Sequence, residues 1–218
     1  MDRPAGPIGS PCGRLLRAVP LPAPHRLMFS TRSTRVLVIV LALAAIGCDG
    51  ARSRATYANI SGTYALFALT GAPANAPTAL KFLGGALVAD ANFDFDVAAD
   101  IDPAGAARIY PVRTLASGLA NSGKRIGLQV VGGSFEALRE APKTGYDTAG
   151  FKVIVPGSVV AVEIQDLTTC LYSIGGTALY AKLVVDSIRS GERRIFGRTV
   201  VDPNCGFREL MPDTVPAR

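Results

Sequence analysis

Four aspartates, Asp94, Asp96, Asp100 and Asp102, fall within nine residues. Such a group could bind a hard cation such as Ca²⁺, and Asp94 and Asp96 with Glu163 are the carboxylates from which acid–base catalysis could be built. Alternate strand positions sit roughly 7 Å apart, and the order lacks the loop that wraps a calcium ion. The set therefore reads as a solvated strand face partly matched by Arg108. The chain has one histidine, His25. It lies in a segment expected to be removed, and a mature domain without imidazole cannot run a Ser-His-Asp or Cys-His mechanism and lacks the commonest zinc ligand. No motif positions a pair of carboxylates, so no catalytic, cofactor-binding or metal-ligating residue is assigned and the domain is read as a non-enzyme.

Gly118 to Lys124 reads GLANSGK and satisfies the spacing G-x-x-x-x-G-K of a phosphate-binding loop. Arg125 then stands where Ser or Thr would hold magnesium, and Ile126 to Val131 continues as a β-like run where that motif needs a helix. The stretch is read as a turn between strands.

The thiol with the clearest chemistry is Cys48. Arg35 precedes eleven apolar residues, Val36 to Ile46, which Gly47 and Cys48 follow. That run suits the apolar region of a secretory signal and falls short of the roughly 20 residues that cross a membrane. Ala45, Ile46, Gly47 and Cys48 resemble the lipobox of bacterial lipoproteins, with Ala45 where that family prefers Leu. The resemblance implies that Cys48 is diacylated and becomes the N-terminus, tethering the chain to membrane lipid on the extracytoplasmic, periplasm-facing side. Two acyl chains hold a protein stably where one does not. Residues 1–27 hold six prolines and no apolar period. Met28 opens a better signal peptide than Met1, so 1–27 is read as a mis-annotated or disordered extension and 28–47 as the signal.

The whole chain carries 23 basic and 17 acidic residues, a net of +6, but residues 1–47 contribute six Arg against one Asp. The remainder is close to neutral at +1. Its small charge removes the electrostatic argument for nucleic-acid binding. Past Cys48 the remaining thiols are Cys170 and Cys205. In an exported protein an isolated pair reads as a disulfide, in preference to two free thiols or half of a metal site.

The elements that must position these groups are short. Residues 48–59 read as a tether, 60–211 as one domain and 212–218 as a tail. Period-two patterning dominates, with Gly and Pro throughout. Ser61 to Thr70 reads as a strand covered on both faces. Asp102-Pro103-Ala104-Gly105 predicts a turn that pairs 92–101 with 106–115, with Pro111 in an edge position. Ser134 to Ala141 is the one plausible helix, capped by Ser134, though a strand remains open. Pro156-Gly157 predicts a hairpin between 151–155 and 159–165, and Ser190-Gly191 another between Thr177–Ile188 and Arg193–Val201. The second is bracketed by Cys170 and Cys205. Arg193, Arg194, Arg198 and Arg208 near this end could meet an anionic surface, but read first as a sheet face paired with Asp186, Glu192 and Glu209.

Gly62-Thr63-Tyr64 distantly resembles the G-x-W opening of lipocalin-like barrels, with Tyr for Trp. The C-terminal third, ending Asn204-Cys205-Gly206-Phe207-Arg208, resembles a family of uncharacterised bacterial lipoproteins with an all-β domain. The expectation is a single all-β domain of about eight to ten antiparallel strands, as a barrel or a two-sheet sandwich. Its expected role is a binding or structural module of the cell envelope, taking a small apolar ligand inside a barrel or contacting an envelope protein, without a cofactor.

Overall fold

The structure, a computed structural model, describes residues 54–116, 124–166, 168–171, 173 and 176–217. They belong to one compact unit, Ala51–Arg218. Its strands are β1 (Ile60–Phe67), β2 (Ala79–Lys81), β3 (Gly85–Leu87), β4 (Val97–Ile101), β5 (Ala107–Pro111), β6 (Lys124–Val131), β7 (Lys152–Ile154), β8 (Val159–Asp166), β9 (Ala178–Arg189) and β10 (Arg194–Asp202). A single helical turn, α1 (Val112–Leu115), follows β5.

The strands form two antiparallel five-stranded sheets, ordered β1-β10-β9-β8-β6 and β3-β2-β4-β5-β7. Neither sheet closes on itself. The architecture is the two-sheet sandwich, and the barrel alternative is corrected. Alternate residues of each strand face the partner sheet: Leu179, Leu183 and Val185 of β9 join Val97, Ala99 and Ile109 of the second sheet in one buried cluster. Each fully buried aliphatic side chain contributes roughly 1.5–3 kcal/mol, which is what holds the layers together.

β9 is central in its sheet, and a smaller cluster of Phe135, Val159, Val184 and Val200 forms on its other side. Covered on both faces, β9 reads as a nearly unbroken apolar run from Ala178 to Val185 that includes buried Lys182. β1 is instead an edge strand: Tyr64 and Leu66 are buried, Ala65 and Phe67 are half-buried and Ile60 to Thr63 are exposed. The two-sided cover expected there is only partial.

Two turns form as expected, while the Pro156-Gly157 hairpin and the Ser134–Ala141 helix do not. β9 and β10 pair across Ser190–Glu192, with a bulge between Phe196 and Gly197. The Asp102–Gly105 turn forms too, with Asp102 Oδ1 accepting from the N–H groups of Ala104 and Ala106 and Gly105 at φ +85°. The ladder it closes is shorter than expected, Val97–Ile101 on Ala107–Pro111. Phe93 sits in the left-handed region at φ 51°, which breaks any strand through 92–96, and α1 takes over at the other end. Pro111 lies beyond the reach of β7, which pairs only with Ala107 to Ile109, so its outer side is a local edge within an interior strand.

The Pro156-Gly157 turn joins no hairpin. β7 pairs with β5 in one sheet and β8 with β6 and β9 in the other, so this turn carries the chain between layers. Gly157 has φ +86° and donates its N–H to the Val185 carbonyl at 2.8 Å. Ser134 caps only one turn, its hydroxyl and carbonyl accepting from Ala137 N–H. Beyond that, Ala141 N–H donates to the Arg208 carbonyl and Glu140 bridges Glu209, so the C-terminal segment recruits residues that a helix would have used. Eight residues ahead of Pro142 are too few to outweigh nucleation.

Candidate functional site

Cys48 and the stretch Gly118–Gly123 of the phosphate-loop pattern lie outside the described residues. Lys124, which ends that pattern, opens β6 and binds a carboxylate: its Nζ lies 2.7 Å from Asp96 Oδ1. Asp96 Oδ2 accepts the Phe82 N–H at 2.7 Å. Asp96 is buried, against the expectation of a solvated face, because its charge is matched by a lysine of the other sheet.

The remaining aspartates separate. Asp94 binds Lys81 at 2.7 Å on the surface, which lowers its pKa. Asp100 accepts from the Thr70 hydroxyl at 2.7 Å and from Arg193 at 2.9 Å. Asp102 pairs with Arg108 at 3.6 Å. Among the described residues no cluster has the makings of a metal site. Glu163 shares neither Lys81 nor Lys124; its two oxygens accept from the Tyr180 hydroxyl at 3.2 Å and the Gln165 amide at 3.0 Å. The three carboxylates that could have served a catalytic pair are not brought together as one.

The arginines are also distributed. Arg193 is tied to Asp100 and Arg194 to Glu192, while Arg198 binds both Asp186 and Glu136 and Arg208 pairs with Glu140. Asp186 and Glu192 serve as expected. Glu209 instead accepts the Ala217 N–H.

Two of the concavities on the outer face of the first sheet are lined by residues of β9. One, about 510 Å³, lies between the Phe135–Arg139 segment and Leu210–Pro212, with Lys182 and Arg198 at its floor. Lys182 Nζ donates to the carbonyls of Phe135 and Leu138 at 2.7 and 2.8 Å and sits 4.5 Å from the centre of the Phe135 ring. Burial lowers its pKa, with the Glu136 charge opposing, and the ammonium is held directly by the two carbonyl dipoles and the aromatic face. The other concavity, about 380 Å³, is polar: Glu163, Gln165 and Tyr180 form one wall, and Lys143, Thr177 and Arg208 line the rest. Burial, then the Glu163 charge, raises the pKa of the Tyr180 hydroxyl, which stays a donor. This wall is a preset array of hydrogen-bonding groups beside two cations.

At one end of the sandwich Cys170 and Cys205 are joined in a disulfide, as read from the sequence. Beside it Asn204 performs a task that its type alone did not disclose. Its Oδ1 accepts from the N–H groups of Thr56 and Tyr57 at 2.8 and 3.0 Å, and its Nδ2 donates to the Tyr57 carbonyl at 2.8 Å. Asn59 adds donations to the carbonyls of Glu209 and Met211. The start of the described chain is thereby sewn to the disulfide end. An Asn flanking a bridged Cys is the signal that was present; it reads equally well as a turn residue. Lys182 offered a better one, as a lone charge within an apolar run.

Comparison of the chain with protein-family models, with curated proteins and with solved structures finds no match. No described helix is long and apolar enough to cross a membrane.

Proposed function

We propose that this chain is a bacterial cell-envelope lipoprotein, anchored through acylated Cys48 on the extracytoplasmic side, whose sandwich is a binding or structural module acting through its surface. The observation that carries the reading is the Cys170–Cys205 disulfide, because such bonds persist in exported proteins and are rare in the reducing cytosol. It agrees with the signal-like run ending at Cys48. The space between the sheets is occupied by packed side chains such as Phe95, Leu183 and Ile109, which favours surface recognition over carriage of an apolar ligand in the interior. The best-furnished surface is the polar groove of Glu163, Gln165 and Tyr180.

The test is metabolic labelling with a fatty acid in cells expressing the full chain, with and without globomycin, alongside Cys48→Ser. The expected result is label on the wild type alone, with unprocessed precursor under the drug. Absence of acyl mass on a protein that is nonetheless exported and disulfide-bonded would overturn the anchor.

A further inference from the structure

Among the described residues the two most exposed large apolar side chains, Tyr57 at 65 % and Leu171 at 59 %, lie at the same end. Tyr57 is held by Asn204, whose neighbour Cys205 is bonded to Cys170, the residue before Leu171. Arg54 is exposed beside them. Exposed apolar side chains are common on a domain surface, but two that share a pole are placed to meet one covering surface together.

Where the chain leaves the domain determines what can do so. Thr56 is fastened at this pole, and Cys48 is eight residues earlier, a reach of at most about 27 Å when fully extended. The other pole is the tip of the β9–β10 hairpin, Ser190–Glu192. β9 has 12 residues, and at about 3.3 Å each that tip is roughly 35–40 Å away. An inverted domain would lift Thr56 farther from the bilayer than the tether extends. Of the orientations left, the one that also removes Tyr57 and Leu171 from water sets the disulfide pole against lipid. Tyrosine is suited to the headgroup region by its apolar ring and polar tip, and Arg54 to anionic phosphates.

We propose that the pole formed by Tyr57, Leu171 and Arg54 rests on the phospholipid surface to which the chain is anchored, so that the sandwich stands with its β9–β10 tip and outer-face grooves held off the membrane. This rests on acylation at Cys48, and the experiment separates the two. The chain contains no tryptophan, so Tyr57→Trp, Leu171→Trp and, at the far tip, Ser190→Trp each report one place. The acylated variants are reconstituted into phosphatidylethanolamine–phosphatidylglycerol vesicles with lipids brominated near the headgroup. Expected are a blue shift and at least twofold quenching at positions 57 and 171, with neither at 190. Acylated protein that co-sediments with vesicles yet shows equal quenching at all three positions, or none at 57 and 171, overturns the pole and leaves the anchor standing. Chain that carries no acyl mass and stays in the supernatant removes both. Far-UV circular dichroism matching wild type shows that each variant is folded, and Leu171→Asp placed in the acylated Tyr57→Trp chain, which should reduce the blue shift and quenching at position 57, gives a second measure.

Discussion

The hydroxyl of Tyr64 donates a 2.9 Å hydrogen bond to the carbonyl of Val184, two strands away across Gly197. The strand between them has a bulge at Phe196/Gly197, and the missing side chain of Gly197 leaves the space through which the Tyr64 ring passes. A Cβ at Gly197 would lie 2.0 Å from the Val184 carbonyl oxygen and 2.4 Å from the Tyr64 hydroxyl. Edge strand β1 is thus locked to the central strand by an aromatic residue laid over a glycine.

Gly197→Ala is expected to cost more than 3 kcal/mol, because the clash involves backbone and no rotamer relieves it. Tyr64→Phe keeps the ring and loses one buried hydrogen bond, leaving the Val184 carbonyl without that donor, for about 1–2 kcal/mol. Urea denaturation of both variants checks the order. Equal stability of Gly197→Ala and wild type would contradict the close approach.

Cys170 and Cys205 are 35 residues apart in sequence. In the chain-entropy account, closing a loop of that size stabilises by about 3–4 kcal/mol. Paired Cys170→Ser and Cys205→Ser substitution should therefore lower the urea midpoint substantially, and should also loosen Thr56 and Tyr57, whose hydrogen bonds depend on Asn204 beside the bridge. Hydrogen exchange at those two amides, with thiol titration before and after reduction, would detect both effects.

The ion pair linking β6 to the approach of β4 offers a third test. Asp96 and Lys124 are both largely buried, at 6 % and 17 % side-chain exposure. Asp96→Ala removes the carboxylate that Lys124 Nζ meets at 2.7 Å and leaves the buried Phe82 N–H without its acceptor, so it should destabilise by about 1–3 kcal/mol. Asp96→Ala combined with Lys124→Met should cost less than the sum of the two single substitutions, because the second removes the charge that the first deprives of this contact. A double variant whose loss equals that sum would show that the pair is not coupled.

Local patterning disclosed the long central hairpin, the Asp102–Gly105 turn and the all-β class, with barrel and sandwich both open, because strand period and turn chemistry are carried by adjacent residues. It misread what depends on distant partners. Pro156-Gly157 looks the same in a hairpin and in a crossover between layers; only pairing of β7 with β5, over 40 residues earlier in sequence, separates them. Ser134 to Ala141 looks helical until Arg208 and Glu209 arrive to pair with Ala141 and Glu140. Asp96 looked solvated because its lysine is 28 residues on and in the other sheet. The disulfide was legible from arithmetic, since after Cys48 two thiols remain. The anchoring role of Asn204 was not, because backbone donors at Thr56 and Tyr57 leave no trace in residue type.

Asp202, at the end of β10, makes the domain's stability depend on pH. It is fully buried, and burial raises its pKa to about 6, with the Glu209 charge adding a little and hydrogen bonds from Asn204 opposing. Its Oδ1 accepts both the N–H and the side-chain amide of Asn204, each at 2.8 Å, while Oδ2 has no hydrogen-bond partner. An unfolded aspartate titrates near 3.9, so between about pH 4 and 6 the folded state holds a proton that the unfolded chain has released. Stability from this group is therefore complete below about pH 4, declines as pH rises through 6 and is level above, a change of roughly 2–3 kcal/mol. Asp202→Asn keeps an acceptor for Asn204 without the charge. It should be more stable than wild type at pH 7.5, nearly equal to it at pH 4, and free of the intervening slope. Urea midpoints at half-unit steps across that range measure this directly, and a wild-type slope that persists in Asp202→Asn would assign the titration to a different group.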